Sequence, residues 1–405
     1  MRVLLIAATT GYQVREFADA ARRMELDLVL ATDRCHVLEN PWGDDAVPVR
    51  FEDAPAGLER LAARGPFDGI VAVGDRPAWI AAQAAERLGL PFSSPQAVAA
   101  AKDKFLARER FRAAGLPVPD FHRVRLASDP YQAARAARYP CVLKPLGLAA
   151  SRGVIRANSA GEFVTAFDRI KKLLEPERET SLQVEDFIPG REFALEGLVT
   201  GGRLQALALF DKPDPLDGPF FEETIYLTPS QEPVPVQRAI RDTAQRAITA
   251  LGLARGPVHA EMRVNPQGVW MLEAAARPIG GLCSRVLRFE PQATLEEVIL
   301  RHALGEDVSH LRLAAGAHGV MMIPIPRAGV YIGVGGLQRA RQVAGVEDVV
   351  ITAKEGQKLL PLPEGASYLG FIFARGASPK RVELALRESH AQLEFQLARA
   401  LPVVR

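Results

Sequence analysis

Two glutamates facing each other across a short hairpin carry the clearest chemistry in this 405-residue chain. In PVHAEMRVNPQGVWMLEAAARPIGG, the residues Asn265, Pro266, Gln267 and Gly268 form a turn between two alternating strands. With Glu261 opposite Glu273, the other face collects Val258, Ala260, Met262, Val264, Trp270, Leu272 and Ala274, all apolar. Sliding the register by one residue buries Glu273 in that face without a partner, so the first register is expected. It sets two carboxylates about 5 Å apart at Cβ, which repel unless a cation neutralises them. Mg2+ (or Mn2+) shared with phosphate oxygens suits such a pair; a salt bridge to Arg263 or Arg277 is the alternative. Arg277 stands four residues beyond Glu273, just past the strand end, where its fork can reach a transferring phosphoryl group or a carboxylate. Gly280 and Gly281 let a ligand approach the backbone closely.

A second group of residues suits a nucleotide. Lys144 ends the strand CVLKP immediately before the small-residue loop GLAASRGV, which places an ammonium on a rigid strand beside a flexible loop. The N–H groups of Gly147, Ser151, Arg152 and Gly153 are expected over a polyphosphate, with Lys144 and Lys104 as fixed charge. A plain turn after a strand-ending lysine accounts for the same residues. VEDFIPGREFALEGLV reads as strand, turn, strand. Backbone groups before such a turn can pair with an adenine edge, so Glu185 and Ile188, with Asp186 and Phe187 between them, are expected at the base and Glu192 at the ribose hydroxyls. Glu192 and Glu196 share a face, as they would on a solvated strand. In DKPDPLDGPFFEETIYLTPS, acidic residues follow a strand, where they can meet an α-ammonium or simply form a solvated loop. Phe220, Phe221 and Tyr226 suggest either an apolar pocket or core.

Positioning these groups requires several layers. The apolar runs at 2–8, 26–32 and 67–75 read as buried parallel strands, with the helices REFADAARRM and PAWIAAQAAERLGL between and after them, giving a doubly wound α/β unit up to about residue 95. No G-x-G-x-x-G follows the first strand, which argues against a dinucleotide-binding dehydrogenase. The helix AVAAAKDKFLARERFRAAG stops at GLPVP, a subdomain boundary. From 141 to about 300 short strands alternate with turns and two helical stretches, and after about 315 a Pro/Gly-punctuated segment leads into an α+β block ending in the helix PKRVELALRESHAQLEFQLARAL. A hydrophobic share of 48% and a net charge of +2, from 50 basic and 48 acidic residues, describe a globular, enzyme-sized chain with no general pull toward nucleic acid or membrane. Three scattered cysteines, Cys35, Cys141 and Cys283, argue against a disulfide framework or zinc cluster and for a reducing, cytoplasmic setting. No export pattern and no run of eighteen apolar residues is present.

Taken in order, Asp103-Lys104, VLKP at 142–145, the loop to Gly153, VEDFIPGREF at 184–193, HAE at 259–261 and EAAAR at 273–277 resemble the ATP-grasp superfamily over about residues 1–300. The resemblance implies a mixed α/β and α+β protein with the ATP-grasp fold. Its parts would be an N-terminal Rossmann-like pre-ATP-grasp domain (1–97), an ATP-grasp domain (98–308) with a lid at about 117–188, and a small ligase-type C-terminal α+β domain (309–405). It implies Lys104 and Lys144 as phosphate ligands, Glu185 and Ile188 as adenine contacts, Glu192 as ribose contact, and Glu261 and Glu273 as metal ligands. Ala275 stands where many members carry Asn, which removes one oxygen ligand.

The E-x-A-A-R form followed by Gly-Gly, and the tail GVGGLQRARQVAGVEDVVITAKEGQ with YLGFIFARG, are similar to the L-amino acid ligase branch, which makes dipeptides from unprotected amino acids. Glu223 resembles the amine-binding glutamate of that branch, and Tyr226 stands where some members have His. The implied reaction uses ATP and Mg2+ (or Mn2+). A carboxylate attacks the γ-phosphate, an amine displaces phosphate from the acylphosphate, and Arg277 is the catalytic cation. The substrates would be small carboxylates and amines, and a homodimer stays open. Rival readings are an ATP-grasp ligase acting on a larger natural-product, purine-pathway or carboxylase-type substrate, and a non-catalytic nucleotide-binding module.

Overall fold

The computed structural model describes residues 1–8, 12–33, 46–51, 53–177 and 179–399; Cys35 lies outside them. The first unit is a parallel sheet in the order Val47–Pro48, Asp27–Thr32, Arg2–Ala7, Gly69–Val73. Its strands Arg2–Ala7 and Gly69–Val73 are buried on both faces, as near-continuous apolar runs require, while Asp27–Thr32 is only partly buried. The helices Val14–Arg23 and Asp75–Leu88 fall where the sequence places them. The latter starts after Gly74, at φ +101°, and stops at left-handed Gly89.

The single helix expected over residues 97–115 is two. Asp103 adopts an extended conformation, ends Pro95–Lys102, and caps Lys104–Ala113 by accepting from the Phe105 and Leu106 N–H groups at 2.9 and 3.0 Å. The break puts Lys104 at the first turn of a new helix, where its own N–H donates to Leu146 O at 3.1 Å. A helical pattern in the sequence hid this, because an aspartate inside a run of helix formers is a weak stop signal.

A four-stranded antiparallel sheet, Phe121–Arg125, Ser181–Asp186, Cys141–Pro145, Ile155–Ala157, with helices Pro130–Ala136 and Ala160–Leu174, occupies the stretch expected to be the lid. The strand Arg191–Thr200 belongs to a different sheet, so the Pro189-Gly190 turn joins two layers rather than a hairpin. That second sheet has eight strands and includes Arg191–Thr200, the hairpin Arg255–Asn265/Gly268–Ala275, and Ile225–Thr228, which pairs with Ala317–Ile323. One sheet therefore runs from the hairpin Arg255–Asn265/Gly268–Ala275 into the C-terminal strands Gly370–Gly376 and Val346–Ile351.

The last helix is shorter than expected. Pro379–Ala391 is helical, but Glu394–Ala398 is a strand paired with Gly329–Gly335. Phe395 and Leu397 alternate with Glu394 and Gln396, and this period of two places both apolar side chains on the C-terminal core. Cys141 and Cys283 are buried free thiols, and no helix among the described residues is long and apolar enough to cross a membrane.

Candidate active site

A cavity of about 570 Å³ draws its walls from the lid sheet, the eight-stranded sheet, the N-terminal unit and the C-terminal strands. Lys104, Lys144, Ser151, Arg152, Glu185, Phe187, Ile188, Glu192, Glu223, Tyr226, Glu261, Glu273, Arg277, Gly280 and Gly281 all border it. Gly153 and Asp186 do not. Strand alternation explains Asp186, since Glu185 points inward and Asp186 falls on the other side, 3.8 Å from Arg138. The Gly153 N–H donates to Pro363 O at 2.9 Å, not toward the cavity.

The hairpin register is as expected, with Glu261 opposite Glu273. Its apolar face differs. A bulge at Leu272 pairs Met262 with Met271, so Val269 and Met271 join the core in place of Trp270 and Leu272, and Leu272 turns to the cavity. Buried Arg108 holds the bulge, Nη1 donating to Met271 O at 2.7 Å and Leu272 O at 2.9 Å. The opposed glutamates fit a hard divalent cation. Lys212, His259 and Tyr226 all meet Glu261 at Oε1, leaving Oε2 without a cationic partner among the described residues, while Glu273 meets only Lys104, 3.6 Å away. Ala275 is buried and offers no ligand oxygen.

At the end expected to take a nucleotide, Lys144 is bonded to Glu185, which also accepts from Arg108 Nε at 2.9 Å and Gln183 Nε2 at 2.6 Å. Burial lowers the Lys144 ammonium to about 8, since the Glu185 attraction is partly offset by Arg108 and Lys104. Burial would raise Glu185, but Arg108 and Lys144 hold it down at about 2. Its side chain is thus a positioning group for Lys144. Phe187 and Phe221 stack 6.5 Å apart, and with Ile188 and Leu272 they form an apolar slot. The Ile188 C=O accepts from Arg263 Nη1 at 2.8 Å, while no protein acceptor meets the Ile188 N–H among the described residues. In the loop, Ala150 and Ser151 take left-handed φ of 55° and 53°, and their N–H groups have no protein acceptor among the described residues. The Gly147 and Arg152 N–H groups donate instead to Glu179 Oε1 and Ala149 O.

The other end is a charge network that the sequence did not reveal. Lys212 Nζ donates to Glu192 Oε1 at 2.9 Å, Glu261 Oε1 at 3.1 Å and Glu223. Arg263 Nε takes the second Glu192 oxygen at 3.0 Å. Oxygens of Glu192, Glu223 and Glu261 lie within 4.8 Å of one another, with the Lys212 ammonium among them. Burial would lower Lys212, but the three carboxylates raise it well above its ordinary value. Burial and the Glu261 charge raise Glu223 to about 7 despite Lys212, and Tyr226 donates to it at 2.7 Å. His259 bridges Glu196 at 3.1 Å and Glu261 at 3.4 Å; burial opposes its charge, but these carboxylates raise it to about 9. Arg277 is held by Asp75 of the N-terminal unit at 3.3 Å. Burial opposes its charge too, yet Asp75, Glu273 and Glu261 raise it further. The one available signal for Lys212 was local: Lys144-Pro145 and Lys212-Pro213 both follow an apolar strand.

Three segments match family models: 18–92 the ATP-grasp N-terminal domain, 137–286 the ATP-grasp domain, and 321–398 the L-amino acid ligase C-terminal domain 2. The chain belongs to the ATP-grasp superfamily, among its carboxylate–amine ligases. Over 98% of its length it is similar to the crystal structure of L-amino acid ligase from Bacillus licheniformis, covering 99% of that chain with a TM-score of 0.84 and 25% identity. It is 29% identical over 219 residues to alanine–anticapsin ligase of Bacillus subtilis (strain 168), a match covering 49% of this chain and 46% of that one. It is 30% identical over 208 residues to D-alanine–D-alanine ligase of Verminephrobacter eiseniae (strain EF01-2), covering 48% and 61%. The chain thus spans about half the length of the alanine–anticapsin ligase and under two thirds of the D-alanine–D-alanine ligase.

Proposed function

We propose that this ligase joins two free L-amino acids into a dipeptide, with ATP as the third substrate. The supporting observation is the union in one cavity of two kinds of group: cations and opposed carboxylates suited to phosphoryl transfer, and a neutral-range carboxyl, Glu223, suited to an amine. The base would lie in the Phe187/Phe221 slot against the Ile188 N–H, and Glu192 would accept from the ribose. Lys104, Lys144 and the Ser151 N–H would hold the phosphates. A divalent cation held by Glu261 and Glu273 would neutralise charge on the phosphate oxygens.

The protein's own part is positioning and electrostatics. Arg277, fixed by Asp75, offers its fork where the carboxylate oxygen meets the phosphoryl group. Glu223, ionised at and above neutral pH, holds the incoming ammonium and can accept its proton as the amine attacks. Tyr12, Gly281, Cys283, Met322, Ala366 and Tyr368 border the cavity as a largely apolar compartment, which favours an apolar side chain on one substrate.

The test is incubation with ATP, Mg2+ and pools of amino acids, reading ADP, phosphate and product mass. ADP release that requires an amino acid, with a product of two residues less water, supports the reading. ATP binding without stimulation by any pool overturns it in favour of a larger carboxylate or a sensing role.

A further inference from the structure

We infer that the C-terminal segment 361–368 is a strap that positions the cavity-covering loop 147–153 and links its closure to the substrate compartment. This rests on the ligase reading above. The loop is strained, since Ala150 and Ser151 are non-glycine residues in left-handed conformations, and its own turn bonds are few: Arg152 N–H to Ala149 O and Val154 N–H to Ser151 O. What holds it comes from distant parts of the chain. Gly153 N–H donates to Pro363 O at 2.9 Å, and Arg152 Nε donates to Glu364 O at 3.1 Å. The Glu364 carboxylate accepts both arms of the Arg169 fork from the lid helix, Nη2 at 2.8 Å.

On the loop's other side, Arg152 Nη1 meets Glu177 at 3.4 Å, and Glu177 is paired with Arg76 of the N-terminal unit. Arg152 is therefore tied to both flanking units of the chain. The strap also folds back on itself. Gly365 N–H donates to Pro361 O at 2.9 Å, and a Cβ at Gly365 would come within 1.8 Å of Leu360 O. At its far end, Ala366 and Tyr368 border the compartment, and Tyr368 packs edge-on against Phe371 at 5.9 Å. A side chain seated there presses on the segment that holds the loop.

Closure matters because water reaching an acylphosphate returns the carboxylate and phosphate, so ATP is consumed without an amide. Glu364 and Arg169 are positioning residues in this scheme. The experiment measures ADP released per amide formed in wild type, Glu364→Arg, Arg169→Glu and the double reversal. Each single variant is expected to raise the ratio about two- to fivefold, the scale of one partly exposed ion pair, and the double reversal to bring it back. Wild-type ratios in both single variants, or no recovery in the double, overturn the strap. Amide exchange of residues 149–154, with Mg2+ and a non-hydrolysable ATP analogue, gives a readout independent of turnover. Faster exchange in the single variants, reversed in the double, supports the strap even if no amino acid pool yields ADP, an outcome that would defeat only the ligase reading. Unchanged exchange defeats the strap.

Discussion

Lys144 and Lys212 share a local context, a Lys-Pro pair at or just past the end of a strand, and both are buried, yet the fold uses them in opposite ways. Lys144 shares one carboxylate with Arg108 and falls to about 8, whereas Lys212 meets three carboxylates and rises well above its ordinary value. Burial is common to both, so the number of opposing charges decides the outcome. Lys144 is weakly committed and free to exchange Glu185 for a phosphate. Lys212 is committed, and its charge keeps Glu192, Glu223 and Glu261 in one place.

The sharpest way to break this contrast is Lys212→Met. It removes the cation shared by three carboxylates and leaves Glu223 without one among the described residues, and removing one partner of a buried ionic cluster costs about 3–5 kcal/mol, so thermal unfolding should shift markedly downward. An unchanged melting temperature would show that Lys212 is not the anchor. Arg277→Ala should lower kcat by roughly 10²–10³-fold, the cost of losing a preorganised transition-state donor, while ATP affinity measured by calorimetry stays close to wild type. Unchanged turnover removes Arg277 from the chemistry. Lys144→Met should raise the KM for ATP about 10- to 100-fold with little loss of stability, because a charge-assisted contact is worth about 1.5–3 kcal/mol; a Lys212-like loss of stability would erase the difference between the lysines.

The smallest effects are in pH. Lys144 must be protonated to attract phosphate, so kcat/KM for ATP should fall as pH rises through about 8. Glu223 must be ionised to hold an ammonium, so kcat/KM for the amine substrate should fall as pH drops through about 7. In Glu223→Gln the limb near 7 should disappear while the limb near 8 remains. Persistence of the lower limb would assign it to another group.

Much of the site was legible because its parts are local. The Glu261–Glu273 register follows from parity within one hairpin, and a single bulge changed its apolar face without separating the glutamates. Lys144, Ser151, Ile188 and Glu192 were found because each lies at a strand end or turn whose residues are adjacent in sequence. Arg108 was hidden on a helix that reads as solvated, and Asp75 in an ordinary helix start, because their partners lie 77 or more residues away.

The sequence by itself determined much of the strand and helix order, the register of the Glu261–Glu273 hairpin and the residue types able to handle phosphate, since propensity, turns and alternation act over a few residues. Tertiary structure alone decided which charges meet. Glu185, expected at the adenine base, became the partner of Lys144, Lys212 gathered three glutamates, and Gly153 turned its N–H to Pro363. Those outcomes depend on sheets from different parts of the chain closing on one cavity, where desolvation amplifies each charge and no local rule says which partner will be there.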